Sequence, residues 1–377
     1  MDIIVDKNDL NRALQITQSA VAKRTTMPIL SNILLSTSDG QLKLSASDLE
    51  VSIVVLVKAE VRSGGSTTVN ARIFSEIVRE LPEGSVKITL TEGERIEVVT
   101  KGSKFRIIGT SAEEYPTLPG LMGPVSGRIP AKLLLEMIAK TLYAASLDET
   151  RFNLNGVCFE MVEGSGGKQG ESGKSLRMVA TDGHRLALIT RPAGDFSFQG
   201  RVIVPRKGLA EIRKILDGET ENEVGIGISE GFLLLEAHDF KVAVRLIDGE
   251  YPDYSQVIPV DKGEVAVLKG TDLMQSLRRV MLVVADREKC VRMSFSSGLL
   301  RISSSSPELG EASEEIAVNY EGQALTAGFN ALYILDVVSA MAQENSLVIE
   351  LHGELGPGKF YMEQDDSSLA IVMPMRL

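Results

Sequence analysis

The sequence predicts an α+β protein made of three tandem copies of one domain, each with two helices and roughly eight strands. Helical and strand patterns recur in the same order three times, the spacing between the two helices of each copy is similar, and one short signature closes the first two copies. A chain of 377 residues is long enough for two or three domains of ordinary size. The alternative is chance similarity among ordinary α+β segments, and the agreement of order, spacing and end signature argues against it.

The first copy begins with a helix over about residues 7–21. Its predicted inward face, read from helical spacing, consists of Leu10, Ala13, Leu14, Thr17 and Val21. A second helix over residues 72–81 is predicted from Ile73, Ile77, Val78 and Leu81 and is stopped by Pro82-Glu83-Gly84. Short runs bounded by turn residues predict strands that include residues 33–35, 42–44, 51–53, 86–88, 96–98 and 105–107.

The same order recurs in the second and third copies. Pro130 opens a helix, because proline suits the first helical turn, and its inward residues are Leu134, Ile138, Leu142 and Ala145. The second helix of this copy covers residues 206–216, with Leu209, Ile212 and Leu216 inward, and Asp217-Gly218 stops it. The two helices of the third copy are predicted from Leu273, Leu277, Val280 and Val284 and from Ile334, Leu335, Val338 and Met341.

Intervals along the chain support the repeat. Leu10 and Ile77 are 67 positions apart, Leu273 and Leu335 are 62 apart, and Leu134 and Ile212 are 78 apart. The longer middle interval contains a Gly/Ser-rich tract, residues 163–174, whose removal brings the three intervals into register. The first copy ends in Glu114-Tyr115-Pro116 and the second in Glu250-Tyr251-Pro252.

Composition excludes several protein classes. The hydrophobic fraction of 44% and the charged fraction of 24% are close to globular averages, so a disordered or fibrous protein is excluded. No apolar run approaches the ~18 residues that a membrane helix needs. The acidic, alternating N-terminus is not typical of a signal peptide, and two cysteines, Cys158 and Cys290, cannot form a disulfide scaffold. We therefore expect a cytoplasmic protein without a membrane partner.

The charge balance bears on partners and metals. The net charge of −11 argues against nucleic acid as a partner unless positive side chains cluster on one surface. The three histidines, His184, His238 and His352, lie far apart, and neither cysteine has a neighbour at ligand spacing. We expect no metal site.

Catalytic patterns do not emerge. Gly173-Lys174-Ser175 ends like a phosphate-binding loop, but Lys168 stands where that pattern needs a glycine, so a flexible hairpin loop is favoured. No Gly-x-Ser-x-Gly motif occurs, and His184 belongs to an Asp-Gly turn between two strands, where a histidine is usually structural. Nothing in the chain demands an enzyme, so we expect no catalytic residues.

The C-terminus is unusual because an apolar strand is predicted to run to the last residue, whereas termini generally fray. Pro374 cannot donate to a ladder and should lie on a sheet edge, with Met373 and Met375 offering an adaptable apolar surface. The alternative is a last core strand without a binding role.

The chain resembles the bacterial DNA polymerase III beta subunit, or sliding clamp, family along its whole length. The matching stretches are residues 27–32 (MPILSN), 81–84 (LPEG), 179–187 (VATDGHRLA), 202–208 (VIVPRKG), 328–330 (GFN) and 373–377 (MPMRL). The resemblance implies a head-to-tail homodimeric ring of DNA clamp folds, with helices lining a hole and sheets outside. The clamp domains would cover residues 1–122, 127–250 and 251–377, and the function would be that of a polymerase processivity factor, with no cofactor and no enzymatic activity.

The resemblance also implies contacts with double-stranded DNA that do not depend on sequence. The residues it assigns to DNA are Arg24, Arg72, Arg79, Arg151, Phe152, Asn153, Arg206 and Lys207. Asn153 departs from the aromatic residue that is common at its position.

A peptide pocket between the second and third domains is implied as well. It would bind short motifs, with a glutamine and two bulky apolar residues, of the clamp loader, the replicative polymerase, other polymerases and repair proteins. Its residues would be Leu154, Thr181, Gly183, His184, Arg185, Leu186, Pro252, Val257, Asn330, Tyr333, Val372, Met373, Pro374, Met375 and Arg376. Gln256 replaces a basic residue that is common beside this pocket.

The implied dimer contact joins the edge strand around residues 104–108 to the third domain of the other chain. The residues assigned to it are Lys104, Phe105, Ile107, Leu273, Glu308, Glu311, Glu314 and Glu315, with Arg106 also able to pair with the glutamates. The alternative to a clamp is a non-catalytic three-domain scaffold that binds protein only and lacks a positive inner surface.

Overall fold

The computed structural model describes residues 1–22, 26–118, 120–163, 173–217, 223–284, 289–341 and 346–377. These ranges contain six α-helices: α1 Lys7–Gln18, α2 Ala71–Glu80, α3 Ala131–Thr141, α4 Arg206–Leu216, α5 Gly270–Val280 and α6 Ala331–Met341. Each of the three copies contributes two of them, as the sequence predicts.

The strands of the first copy are β1 Asp2–Asp6, β2 Asn32–Ser38, β3 Gln41–Ser47, β4 Val51–Ser63, β5 Ser66–Asn70, β6 Ser85–Thr91, β7 Arg95–Thr100 and β8 Ser103–Thr110. Those of the second are β9 Gly127–Pro130, β10 Gly156–Glu163, β11 Lys174–Thr181, β12 Arg185–Pro192, β13 Arg201–Pro205, β14 Glu223–Ser229, β15 Phe232–Glu236 and β16 Phe240–Arg245. Those of the third are β17 Glu264–Lys269, β18 Cys290–Ser296, β19 Leu299–Ser306, β20 Gly310–Ala317, β21 Asn319–Tyr320, β22 Leu325–Asn330, β23 Ser346–Leu351, β24 Gly358–Met362 and β25 Asp365–Val372.

The element order repeats through the described residues. One strand, a helix, four strands, a second helix and three strands follow one another three times, and the third copy adds only the short strand β21. The three-copy α+β fold is therefore confirmed. The Gly/Ser tract joins β10 to β11, which pair up to Glu163 and Lys174, while residues 164–172 lie outside the described ranges.

The chain forms two compact units. The first unit contains Met1–Lys132, Asp195–Phe198 and Lys207–Leu246, and its antiparallel sheet has the order β1-β6-β7-β8-β5-β2-β3-β4-β16-β15-β14-β9. The second unit contains Leu133–Gly194, Gln199–Arg206 and Ile247–Leu377, with sheets β13-β10-β11-β12-β25-β24-β23-β17-β21 and β20-β19-β18-β22. The strands of the second copy are shared between the units, and its boundaries remain a prediction.

The helix faces follow the predicted period with local differences. Leu10, Ala13 and Leu14 of α1 are buried, and this helix begins after Asp6, whose carboxylate accepts hydrogen bonds from the N–H groups of Asn8 and Asp9. The helix ends at Gln18, three residues before the predicted Val21. In α2 the buried residues are Ala71, Phe74 and Val78, whereas Ile73, one of the residues at the predicted helical spacing, is exposed.

Two further predictions are corrected. Pro130 is the last residue of β9, and α3 begins at Ala131. The final strand β25 ends at Val372 because Pro374 has no N–H to continue the ladder, so the last five residues are not a strand. Apart from the single bridge between Met375 and Gly328, these residues have no strand pairing.

Candidate functional site

The hairpin between β11 and β12 is fixed by its own side chains. Gly183 has a φ of +88°, a left-handed conformation that glycine adopts without steric cost. The Asp182 Oδ1 atom accepts hydrogen bonds from the backbone N–H groups of His184 (2.9 Å) and Arg185 (3.0 Å). The Thr181 hydroxyl donates to the Arg185 carbonyl (2.6 Å) and accepts from the Gly183 N–H (3.1 Å). This pocket hairpin, residues 181–186, therefore presents an exposed His184 on a well-bonded turn, which confirms the predicted Asp-Gly turn.

The Arg185 guanidinium ties the pocket hairpin to α6. Its Nε donates to Asp182 Oδ2 (3.1 Å), its Nη1 to Asp336 Oδ2 (2.6 Å) and its Nη2 to the Tyr143 carbonyl (2.6 Å). It also lies 4.4 Å from the Tyr333 ring centroid, and its side chain is only 10% exposed. With each of its three nitrogens bonded inside the chain, Arg185 holds the pocket hairpin against Tyr143 and α6. The ring of Tyr333 stacks on His184 at 6.4 Å between centroids.

The C-terminal segment closes a second side of the site. Val372 pairs with Arg185 at the end of the β12–β25 ladder, and the Met373 N–H then donates to the His184 carbonyl (2.9 Å). Two residues later the Met375 N–H donates to the Gly328 carbonyl (2.8 Å). A Cβ at Gly328 would lie 2.7 Å from the Met375 carbonyl oxygen, so only glycine permits this approach.

The floor of the site is apolar. Leu154 packs on a buried cluster that includes Leu186, Tyr251, Tyr254 and Ile371. The Tyr251 hydroxyl accepts from the Thr181 N–H (2.9 Å), which holds the segment after Glu250 against the pocket hairpin. Burial and the hydrogen bond to Glu160 raise the pKa of Tyr254 to about 12, so this phenol stays neutral.

The remaining predicted pocket residues lie on the surface of the same unit. Val257 and Met373 are large apolar side chains that remain exposed, and Pro252 is exposed as well. Asn330 accepts from the Leu332 N–H (3.0 Å) at the start of α6, and the Gln256 amide donates to Asp253 (3.1 Å). Two residues that build the site, Tyr143 and Asp336, were missed from the sequence, because contacts between distant helices leave no local motif.

The residues assigned to DNA have different surroundings in the first unit. Arg72 and Arg79 of α2 are largely exposed and pair with Glu76 (2.9 Å) and Glu80 (3.2 Å). Lys207 lies between Asp48 (2.6 Å) and Glu50 (2.7 Å), so its charge is compensated within the chain, and its assignment to DNA stays a prediction. Arg24 lies outside the described residues.

In the second unit, Phe152 is 70% exposed on the short 3-10 helix Phe152–Leu154. Arg151 donates to the Asp182 carbonyl (3.0 Å), and the Asn153 amide donates to the Glu250 carbonyl (2.8 Å). The Asn153 side chain is therefore hydrogen-bonded within the chain. Within the described chain, the buried Arg206 Nε has no hydrogen-bond acceptor.

The strands assigned to the dimer contact have open edges in the described residues. β20 is the edge of the four-stranded sheet, and β8 pairs with β5 only through Gly109 and Thr110. Phe105 and Ile108 are exposed on β8, while Ile107 is buried. Lys104 and Arg106 pair with Glu97 in the same chain, at 2.9 and 2.6 Å.

The third copy requires one correction to that set. Leu273 is fully buried in its own core, so it cannot contribute an exposed side chain to an interface. Leu282, on the turn Met281–Val283 that contacts β19 and β20, is 79% exposed. Glu308 and Glu311 lie on the exposed side of this region, whereas Glu314 pairs with Arg279 (2.7 Å) and Glu315 with Arg301 (2.7 Å).

Two negative findings apply to the described ranges. There, no helix has the length and apolar character to span a membrane. In the same ranges, no group of three or more His, Cys, Asp or Glu side chains could hold a metal ion.

Comparison with protein families gives three matches in tandem. Residues 1–119 match the N-terminal domain of the DNA polymerase III beta subunit, residues 128–253 its central domain and residues 255–376 its C-terminal domain. The beta sliding clamp of Escherichia coli K12 is 34% identical over 379 residues, and that of Vibrio cholerae serotype O1 is 32% identical over 378 residues. Both matches cover 100% of the two chains compared.

Solved structures agree with these matches. A sliding clamp from Pseudomonas aeruginosa bound to griselimycin is similar with a TM-score of 0.91 at 33% identity, and the match covers 100% of both chains. A DNA polymerase sliding clamp from Bacillus subtilis has a TM-score of 0.91 at 30% identity, with 100% of this chain and 99% of that chain covered.

Proposed function

This chain belongs to the bacterial DNA polymerase III beta subunit family, and we propose how its residues serve the ring-shaped processivity factor that this family provides. The clamp function is favoured over a scaffold that binds protein only, because all three family domains match in tandem and the relatives match end to end. The mechanism is physical: a closed ring retains DNA by topology, and the polymerase is retained by binding the ring. No bond is made or broken and no cofactor is required.

The ring would be a head-to-tail homodimer. β20 is an edge strand, and β8 is unpaired on one side before Gly109, so β8 of one chain and β20 of the next offer unpaired backbone groups, which native proteins usually cover. Exposed Phe105, Ile108 and Leu282 would add apolar contact around them. A heterologous contact of this type forms a closed ring of two chains if it rotates one chain by half a turn relative to the other.

Duplex DNA would be held weakly inside the ring. Arg72, Arg79 and Arg151 would contact phosphates, with Phe152 near the backbone, and Arg24 remains predicted for the same role. Contacts to phosphate carry no sequence information and weaken with salt, which suits a ring that must slide. The net charge of −11 keeps other surfaces from competing for DNA.

Partner proteins would bind the site beside the pocket hairpin. The observation that carries this proposal is the Arg185 network, because it fixes His184 and Tyr333 next to an apolar floor that exposed Val257 and Met373 extend. A bulky apolar side chain would fill the floor, and the glutamine of a partner motif would bond to polar groups at its rim. The clamp loader and the polymerase would compete for this single site. We expect the protein to act in the cytoplasm.

Truncation after Val372 tests this assignment. β25 lies between β12 and β24 and ends at Val372, so removing the last five residues should leave the sheet and the dimer intact. It removes Met373 and Met375, whose backbone bonds close the site, and should weaken binding of a short peptide by about tenfold or more. Fluorescence anisotropy with a labelled peptide carrying a glutamine and two bulky apolar residues measures the effect.

The matched control is Met122→Ala, which removes an exposed methionine elsewhere and should bind as the parent does. Unchanged peptide affinity in a folded, dimeric truncated ring would show that the pocket is wrongly assigned.

A further inference from the structure

Residues 251–258, the connecting segment, pack on one face of the sheet β13-β10-β11-β12-β25. Tyr251, Tyr254 and Ile258 belong to the apolar cluster to which β10, β11, β12 and β13 each contribute a residue. The segment also carries Val257, an exposed side chain assigned to the partner pocket. Whatever fixes the connecting segment on the sheet therefore fixes part of the pocket.

Val257 lies one helical turn after Tyr254. The stretch Tyr254–Val257 is a 3-10 helix that begins after Asp253, whose Oδ1 atom accepts a hydrogen bond from the Ser255 N–H (3.1 Å). A 3-10 helix has three residues per turn, so its first and fourth side chains lie on the same face. Tyr254 is buried and Val257 is exposed. A displacement of the buried tyrosine is therefore passed to Val257 over a single turn.

The Tyr254 hydroxyl donates to Oε1 of Glu160 on β10, a carboxylate whose side chain is only 8% exposed. Because burial raises the pKa of Tyr254 to about 12, the phenol keeps its proton and is the donor. Glu160 Oε2 accepts from Arg201 Nε (2.6 Å), and Arg177 Nη1 lies 3.6 Å from Oε1. Arg177 Nε in turn donates to the Thr190 hydroxyl (3.1 Å). Partners on neighbouring strands thus fix Glu160 as the acceptor for Tyr254.

Close packing does not fill the space beside this bond. A recess of about 670 Å³ is lined by Tyr254, Ile258 and Val260 together with Glu160 and Arg201 of the sheet. Val260, just beyond the connecting segment, is exposed. A hydrogen bond to an ionised group is roughly twice as strong as one between neutral groups. The Tyr254–Glu160 bond therefore has the larger part in deciding where the 3-10 helix lies on the sheet.

We propose that Glu160 is a positioning residue of the partner pocket, acting through Tyr254 on Val257. The Tyr251 hydroxyl holds the start of the connecting segment on the Thr181 N–H (2.9 Å), and Tyr254 holds its 3-10 helix on β10. Two tyrosines three residues apart would thereby keep Val257 where a bulky partner side chain meets it, while Glu160 itself touches no partner. This role rests on the proposed function, and it adds a buried residue that lies outside the predicted pocket set.

A double-mutant cycle tests this role on the intact chain, with fluorescence anisotropy of a labelled peptide that carries a glutamine and two bulky apolar residues. Tyr254→Phe removes only the hydroxyl and should weaken peptide binding by about threefold to tenfold. Val257→Ala removes the positioned side chain and should weaken binding by about tenfold. Once that side chain is gone its position no longer matters, so the double variant should bind about as Val257→Ala does. Independent effects would add instead.

A second cycle addresses the carboxylate. Glu160→Ala should weaken peptide binding as Tyr254→Phe does, and the two changes together should lose no more than either alone. The matched control is Tyr320→Phe, which also removes a buried phenol hydroxyl of the second unit, one that donates to the Gln323 carbonyl, and should leave peptide affinity unchanged. Urea unfolding identifies the variants that fold. If Glu160→Ala does not, the cycle of Tyr254→Phe with Val257→Ala decides.

The outcomes separate the positioning role from the pocket itself. A parent chain that binds no peptide, or a Val257→Ala variant that binds as the parent does, would overturn the pocket wall and the positioning role with it. Weaker binding in Val257→Ala together with parental binding in Tyr254→Phe would overturn the positioning role alone. Additive losses in the first cycle, or parental binding in a folded Glu160→Ala variant, would do the same and leave the pocket assignment intact.

Discussion

Leu49 and Gly183 occupy equivalent left-handed positions in two hairpins with the same hydrogen bonds. Replacing Leu49 by glycine should keep stability or raise it by up to about 1 kcal/mol, because the steric cost of a side chain at this φ disappears. The converse change, Gly183→Leu, should cost about 1–2 kcal/mol and brings a Cβ to 3.4 Å from Arg151 Nη1.

Urea unfolding of the two variants beside the parent measures these changes. A Leu49→Gly variant that loses more stability than Gly183→Leu would contradict this prediction.

At the residue scale, motif resemblance predicted the residues of the pocket but not the two that hold its hairpin in place. His184 and Arg185 were recognisable in the Thr-Asp-Gly-His-Arg turn. Tyr143 and Asp336 were not, because they reach Arg185 from helical segments 42 and 151 positions away in the chain. The resemblance assigned Leu273 to the dimer contact, whereas the helical period placed the same residue inward. Leu273 is buried, so the helical period gave the correct prediction.

Elements were predictable where one physical pattern dominates. The 3.6-residue period located all six helices of the described chain, and alternation located the strands tested. Ile73 fits the helical spacing of α2 but is exposed, because period alone does not fix the centre of the buried face, which Phe74 occupies. The end of β25 depends on Pro374, whose missing N–H outweighs the apolar character of the last residues.

An ion-pair cluster joins three elements of the second unit. The Nη2 atom of Arg191, on β12, donates to Glu136 of α3 (2.6 Å) and Asp365 of β25 (2.7 Å), and Lys140 also reaches Asp365 (3.2 Å). Partial burial alone would raise the pKa of Asp365, but hydrogen bonds from Arg191 and Ser367 hold that pKa well below its ordinary range. Its stabilising contribution is therefore present above the ordinary carboxyl pKa of ~4 and declines as the pH falls below it.

Asp365→Asn should lower the free energy of unfolding by about 1–3 kcal/mol at pH 7, since it removes charge-assisted bonds. The difference from the parent should stay constant between pH 7 and about 5 and shrink below about 4. Urea titrations across this range give the profile. A difference that grew on acidification would have the wrong sign for a depressed pKa.

At the scale of the whole molecule, the open edges of β8 and β20 predict how chains assemble. Ile108 is 76% exposed on the edge of β8, and Ile108→Lys would place a charge in the proposed contact. Sedimentation at micromolar concentration should show the parent as a dimer and this variant largely as a folded monomer. Ile73→Lys, at an exposed isoleucine on α2, is the matched control and should remain dimeric.

Topological retention on DNA tests the central claim most directly. The ring is loaded by a clamp loader with ATP onto a nicked circular duplex, and half of the sample is then cut once with a restriction enzyme. Gel filtration at a salt concentration that suppresses phosphate contacts should find the protein with the circular DNA and free of the linear DNA, because only an end lets a closed ring slide off. Equal retention on both forms, or on neither, would contradict a closed sliding clamp.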